Sequence, residues 1–304
     1  MSQPPTGQTV LVTGGAGFIG SHIADALCPD NDVRILDNGS GSGGANHPDA
    51  ATFIEGDIRD EEALADAVAG VDIVFHEAAL VSVARSVEDP TVSHSINTEG
   101  TLAVLEAARR ADARVVFASS AAIYGAPESM PIAETAPKQP SSPYGLEKLS
   151  GDHYCRLYNE LYDLPTVALR YFNVYGPRQS GGEYAGAISA FAEQARSGGP
   201  VTVHGDGEQT RDFVNIADVV QANLLAATTD ATGEAFNVGT GSRASINRVA
   251  ELIRDEVAPD AEIIHVDARE GDIRHSVADI DKIIDRLGYE PSVTLADGLQ
   301  EYLR

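Results

Sequence analysis

The sequence has no tryptophan, an aromatic content of only 6%, two methionines and two cysteines, and its lysines are confined to Lys138, Lys148 and Lys282. Cys28 and Cys155 lie far apart in helix-like segments with no CxxC or Cys/His cluster, so neither a disulfide framework nor a zinc site is indicated. The eight histidines are scattered without HExxH or comparable spacing, and metal catalysis has no support. No apolar run approaches the ~18 residues that span a bilayer. Residues 1–8 carry no basic-then-apolar leader, so a cytoplasmic location is expected. Positive charge is also scarce: 46 acids against 21 bases leave a net charge of −25. Such a surface repels phosphate backbones and anionic lipid, which disfavours nucleic-acid and membrane partners. Acid-rich, lysine-poor composition fits a surface adapted to high salt, where short screening lengths tolerate the self-repulsion.

With 304 residues, 43% hydrophobic and 22% charged, the chain can bury a core as one large domain or two coupled ones. Short, nearly continuous apolar runs at 9–13, 33–36, 52–55, 73–76, 114–118 and 166–169 predict parallel strands covered on both faces. Helical patterns at 18–27, 61–68, 92–110 and 143–162 alternate with them, the signature of an α/β, Rossmann-like doubly wound sheet. After about Phe172 strands shorten and turn signals crowd in at Gly181-Gly182, Gly198-Gly199-Pro200 and Gly205-Asp206-Gly207, with helices expected at 187–197, 216–227, 245–257 and 280–287. The expected division is a dinucleotide-binding domain over 1–172 and a smaller mixed region over 173–304 that returns some elements to the first sheet. The glycine-serine stretch at 38–45, which begins at Asn38, reads equally as a surface loop and as a ligand contact.

Directly after the first strand comes Gly14-Gly15-Ala16-Gly17-Phe18-Ile19-Gly20, a GxxGxxG that opens a helix. Gly14 permits the tight turn, Gly17 lets backbone approach a pyrophosphate, and Gly20 allows close helix–strand packing. The helix N-terminus offers unpaired N–H groups to phosphate. The alternative is a glycine-rich turn without a ligand. Asp37 ends the second strand, where a carboxylate accepts from both hydroxyls of an adenosine ribose and repels a 2′-phosphate, favouring NAD over NADP. Asp57, after the third strand, is placed either to reach adenine or to cap the following helix.

Tyr144 and Lys148 are spaced i,i+4 near the start of a helix led by Pro143, so phenol and ammonium share one face. A nearby cation favours the phenolate, so Tyr144 is expected to work as a base well below its free pKa of ~10; a surface Tyr/Lys pair is the bland alternative. Ser119-Ser120 ends the fifth strand at the carboxyl edge of the sheet, where a hydroxyl can bridge a substrate oxygen and the phenol.

From here the chain resembles the extended short-chain dehydrogenases/reductases, within them the nucleotide-sugar epimerase/dehydratase family. The resemblance runs nearly end to end: TGGAGFIGS at 13–21, FHEAA at 75–79, FASSAAIYG at 117–125, PYGLEK at 143–148, LRYFNVYGPRQ at 169–179, RDFVNIADV at 211–219 and REGDIRHSVADI at 269–280. It implies that Ser120, Tyr144 and Lys148 form the catalytic set, that Lys148 also binds the nicotinamide ribose, and that Asn97 supports the Tyr–Lys pair. It further implies that Ala78, Ala79 and Leu80 line the NAD cofactor, and that Asn38, Ile58, Ser119 and Tyr171 join the cofactor-binding set. Asn173, Arg211 and Arg269 match positions that grip a nucleoside diphosphate, and Asp272 the one that takes the uridine ribose. Guanidinium forks suit phosphate oxygens in a molecule otherwise so acidic, although Arg211 and Arg269 taken alone, outside these motifs, read first as structural ion pairs.

Members of this family that dehydrate sugars carry an Asp-Glu pair just after the hydroxyl residue; here Ala121-Ala122 stand there. The resemblance therefore implies an epimerase. Tyr144 takes the proton of the sugar 4-hydroxyl as hydride leaves C4, the 4-keto sugar turns its other face, and both return. Ser276 matches a gate position that is Tyr in members limited to UDP-glucose and UDP-galactose, so a UDP-sugar with a 2-acetamido group also fits. Ser82 and the Gly205–Gly207 turn resemble members acting on such sugars. A homodimer built by pairing helices 92–110 and 143–162 is also implied. The alternatives are another nucleotide-sugar epimerase, a dehydrogenase that turns over free NAD, or a dinucleotide-sensing protein without catalysis.

Overall fold

Strands that are apolar on both faces need helices on both, and the computed structural model supplies them. It describes residues 4–41, 46–179, 186–269 and 271–304; the Gly181-Gly182 signal, residues 42–45 of the glycine-serine stretch and Glu270 lie outside the described residues. In chain order the strands are β1 (Thr9–Thr13), β2 (Asp32–Asp37), β3 (Thr52–Glu55), β4 (Ile73–His76), β5 (Arg114–Ser120), β6 (Thr166–Tyr171), β7 (Asn173–Tyr175), β8 (Val201–His204), β9 (Thr210–Arg211), β10 (Phe213–Asn215), β11 (Glu234–Val238), β12 (Ala244–Ser245), β13 (Ile263–Val266) and β14 (His275–Ser276). The helices are α1 (Phe18–Leu27), α2 (Glu61–Val68), α3 (Val83–Glu88), α4 (Pro90–His94), α5 (Gly100–Ala111), α6 (Pro143–Tyr162), α7 (Ala187–Arg196), α8 (Ile216–Thr228), α9 (Ile246–Val257), α10 (Asp281–Leu287) and α11 (Leu295–Leu303).

A 7-stranded parallel sheet runs in the order β11-β6-β5-β4-β1-β2-β3. The chain reverses direction across the sheet between β1 and β4, the place where such sheets open a crevice for ligands. One face packs Val10, Val12, Phe75 and Val116 under α1 and α8; the other packs Leu11, Val74, Val115 and Phe117 under α2, α5 and α6. A second core, around Phe191, Val201, Val203 and Ile253, joins α7, α9 and α11 to β8 and β13. Among the described residues no helix is long and apolar enough to cross a membrane.

Three features depart from the sequence expectations. Glu234–Val238 becomes the edge strand beside β6, although its short run carried no strand signal strong enough to single it out. The helix expected over 92–110 forms from Pro90 to Ala111, but a separate short helix, α3, precedes it and a π-helical turn interrupts its regular winding. Asp89 caps a new helix with Pro90 in its first turn, and a π-helical turn, Ser95–Glu99, precedes α5. The extra residue of that turn rotates Asn97 inward, where its amide reaches Leu80 and Glu147. Finally, Asp60 rather than Asp57 caps α2, accepting from the N–H groups of Glu62 and Ala63. The capping reading of Asp57 is therefore corrected: only the residue next to the first turn can reach its free N–H groups.

Candidate active site

The glycine loop turns at Gly14, whose φ of +69° suits glycine, and its N–H donates to Leu36 O at 2.8 Å. A Cβ at Gly14 would lie 2.7 Å from Ala78 N, and one at Gly20 would strike the carbonyl of Gly14, so strand, loop and helix close together only without side chains. Gly17 is the N-cap of α1 and offers no side-chain cap, which leaves the first turn of Phe18, Ile19 and Gly20 open to an anion. Asp37 accepts from Ala16 N at 3.0 Å and Gly39 N at 2.8 Å, so its carboxylate braces the loop and keeps lone pairs for a ribose. Asn38 donates to Asp57 at 2.9 Å, and Arg59 clasps the same carboxylate through two nitrogens at 2.8 Å. That hydrogen bonding holds the Asp57 carboxyl below the usual range despite partial burial. The side chain of Ile58 is buried in the core.

At the far end of the crevice, α6 starts from Ser142, whose hydroxyl accepts from Gly145 N at 3.1 Å, with Pro143 in the first turn. This fixes Tyr144 beside Ser120, whose hydroxyl also accepts from Ala122 N at 3.1 Å. Lys148 Nζ lies 6.0 Å from the centre of the Tyr144 ring and donates to the carbonyl of Ala118 at 2.8 Å. Ser120, Tyr144 and Lys148 are thus brought together at the carboxyl edge of β5. The phenol, however, is pushed up to about 12, chiefly by burial and further by the charges of Glu77 and Glu147, against the hydrogen bond of Ser120. The expected depression by Lys148 is corrected here. Burial of the phenol dominates, and the charges of Glu77 and Glu147 add to it, while the ammonium donates to a backbone carbonyl. Burial also lowers Lys148 from its ordinary range, with Glu77 and Glu147 opposing.

Several residues assigned from the sequence have side chains occupied elsewhere. Ser119 donates to Asp152 at 3.2 Å, away from Ser120. Asn97 accepts from Leu80 N at 2.8 Å and donates to Glu147 at 2.7 Å, so it ties the loop of Ala78, Ala79 and Leu80 to the helix of Tyr144 and Lys148 through Glu147. Tyr171 donates to Glu77 at 2.9 Å. Ser82 caps α3, accepting from Arg85 N at 3.1 Å.

On the opposite side, β9 pairs with β14 so that Arg211 stands beside Ser276. Arg211 forms an ion pair with Asp272, which unites two of the expected substrate residues. Asn173 and Arg269 are exposed. Asp212, buried and unassigned by sequence reasoning, organises this region. It accepts from Thr240 N at 2.8 Å, Gly241 N at 3.0 Å and Ala278 N at 3.1 Å. Glu77 and Glu147 were also missed. An acid directly after the apolar run of β4, in FHEAA, was the available signal for Glu77. Glu147 carried no signal beyond its place beside Lys148.

The model of the NAD dependent epimerase/dehydratase family matches residues 10–239. A UDP-glucose 4-epimerase of Mycolicibacterium smegmatis is 39% identical over 300 residues, 95% of each chain. A UDP-N-acetylglucosamine 4-epimerase from Methanobrevibacter ruminantium, solved with UDP-N-acetylmuramic acid, superposes with a TM-score of 0.92 at 38% identity over 98% of both chains. The Thermus thermophilus UDP-glucose 4-epimerase complex with NAD gives 0.88 at 38% identity over 97% of both. With the glycine loop, the Ser120–Tyr144–Lys148 set and these matches in hand, the chain belongs to the NAD-dependent epimerase/dehydratase family.

Proposed function

We propose that the protein is an NAD-dependent epimerase inverting C4 of a UDP-hexose, UDP-glucose and UDP-galactose first, with UDP-N-acetylglucosamine and UDP-N-acetylgalactosamine also admitted. The observation that carries this is the placing of Tyr144 and Ser120 at the crevice with Ala121-Ala122 following, so the two positions after the serine carry no acid or base for elimination. The glycine cradle fits a dinucleotide diphosphate, since Cβ atoms would fill it. NAD, when bound, supplies the acceptor of the C4 hydride. Gly14, Gly17 and the first turn of α1 would hold its diphosphate, Asp37 its adenosine ribose and Lys148 its other ribose.

Tyr144 takes the proton of the 4-hydroxyl and returns it after the sugar has turned, while Ser120 orients that hydroxyl by hydrogen bonding. A phenol at about 12 in the chain alone is a poor base at neutrality; a cationic ring bound beside Tyr144 would favour its phenolate. Asn173, Arg211, Arg269 and Asp272 hold the uridine diphosphate, leaving the hexose free to rotate. The working division falls near residue 172, dinucleotide before it and nucleotide sugar after it.

Incubation with the four UDP-sugars, with C4 epimers resolved by chromatography, should show conversion in both directions without accumulating NADH. Accumulating NADH would make the protein a dehydrogenase, and turnover of UDP-galactose no faster than of a CDP- or GDP-sugar would remove the uridine assignment. Ser276 is nearly buried beside Arg211, so Ser276→Tyr should cut activity on the N-acetylated sugars at least about tenfold through lost volume while sparing UDP-galactose.

We also infer a homodimer, a cytoplasmic location and adaptation to high salt. Leu146, Leu157 and Leu161 on α6 are 60%, 43% and 57% exposed, with Val87 and Val92 exposed on the neighbouring helices, and a second copy would cover them. In molar potassium chloride the wild type should sediment as a dimer and a Leu157→Glu/Leu161→Glu variant as a monomer. A monomeric wild type would overturn the pairing, and a fold indifferent to salt would overturn the adaptation. Cytoplasm is where NAD and nucleotide sugars are made and used; recovery outside the soluble cell fraction would count against it.

A further inference from the structure

We propose that Glu77 is a positioning residue of the active centre, a carboxylate anchored by Tyr171 that, when ionised, holds the bound nicotinamide in its oxidised, cationic form. The assignment rests on the NAD-dependent reading above. Glu77 follows β4 directly, and its N–H donates to Thr13 O at 3.1 Å, which pins it at the carboxyl edge beside β1. The Glu77–Ala78 peptide lies against the glycine loop, since a Cβ on Gly14 would be 3.0 Å from the Glu77 carbonyl carbon. The side chain extends the other way, to the end of β6, where the Tyr171 hydroxyl donates to Oε1 at 2.9 Å. Asn223 of α8 donates to the same hydroxyl oxygen at 2.8 Å and is itself tied to Val219 O at 2.9 Å. The residue is therefore pinned through its backbone to β1 and through its carboxylate to Tyr171, close enough for its charge to act on both Tyr144 and Lys148.

The ionisable groups that act on it or feel its charge are Lys148 and Tyr144 from α6 and Tyr171 from β6, with Glu147 acting on the same Tyr144 and Lys148 and His76 its neighbour in the chain. Lys148 is the cation and Glu147 is already satisfied by Ser93 and Asn97. His76 is lowered to about 3 by burial and the charge of Lys148, and is neutral. Alone, the Lys148 ammonium would oppose a second cation in the crevice; Glu77 offsets it. An epimerase needs that balance, because each cycle must end with the ring oxidised and nothing outside restores it. Burial raises the Glu77 carboxyl above the usual carboxylate range, with Tyr171 and Lys148 opposing, so its charge comes and goes near neutrality.

Holoprotein with its bound NAD is equilibrated against a low-potential mediator dye over a pH series, and the near-ultraviolet absorbance of the reduced ring is read. The dye gives up two electrons, solvent gives one proton, and the ring gains both as hydride. Glu77→Gln keeps an acceptor for Tyr171 and removes the charge. At fixed dye potential it should raise the reduced-to-oxidised ratio about tenfold above the Glu77 titration, and match the wild type below it. Equal ratios at every pH would overturn the assignment. Should the Gln variant misfold, the wild-type series decides, because absence of an inflection at the Glu77 titration would overturn it as well. Bound NAD that shows the inflection in a protein without epimerase activity would sink the proposed function and leave this assignment standing.

Discussion

Tyr144→Phe should lower C4 inversion about a thousandfold or more while the protein keeps its NAD. Removing the hydroxyl deletes the atom that carries the proton and leaves the ring, its packing and its backbone N–H bond to Ser86 at 3.2 Å in place. Substrate affinity should therefore change little while kcat collapses, the pattern of a group used only in the transition state. The phenol stands at about 12 because burial and two carboxylates outweigh the hydrogen bond of Ser120. The wild-type rate should rise with pH as the phenolate fraction of the NAD-loaded protein grows, and the Phe variant should lose that limb. Chromatography of the epimers and absorbance of the bound cofactor check both parts. A variant within tenfold of wild type would show that Tyr144 is not the base.

Asp152→Ala should destabilise the fold by about 3–5 kcal/mol, because it strands a buried guanidinium. Arg170 is 2% exposed and gives Nε to Asp152 Oδ2 at 2.8 Å and a terminal nitrogen to Oδ1 at 3.0 Å. The same guanidinium donates to Tyr124 at 2.9 Å, whose hydroxyl donates to Asn237 at 2.7 Å, so α6, β6, the turn at 121–124 and β11 share one network. Burial raises the Asp152 carboxyl, but the hydrogen bonds and charge of Arg170, with Arg156 and Ser119, outweigh it and hold the group below its ordinary value. With the folded pKa depressed, this stabilisation is fully present above the unfolded value of ~4 and is lost as pH falls through the folded one. Thermal melts should show a drop of roughly 10 °C for Asp152→Ala near neutrality, and Asp152→Asn should flatten the acid limb of the stability curve. Melts matching wild type at all pH values would show that the pair contributes nothing.

The nucleotide end was legible because its requirements are local. Gly14, Gly17 and Gly20 are dictated by a turn, a phosphate approach and a close helix, all within one strand–loop–helix unit. Asp37 stands at a strand end, and Tyr144 and Lys148 are set by one helical turn. The departures came from local competition and from distance. The capping duty of Asp57 passed to Asp60 while Asp57 was taken by Arg59 and by Asn38 from another loop. Ser119 turned toward Asp152, and Glu234–Val238 joined the sheet beside a strand far earlier in the chain.

Sequence by itself determined the alternation of strands and helices, the glycine cradle and the company of Tyr144 with Lys148, since each follows from the geometry of neighbouring residues. Only the tertiary structure decided how acidic that phenol is, where Glu77 reaches and which carboxylate answers which arginine. Those properties sum charges and desolvation over segments far apart in the chain, and that sum has no value until the chain has folded.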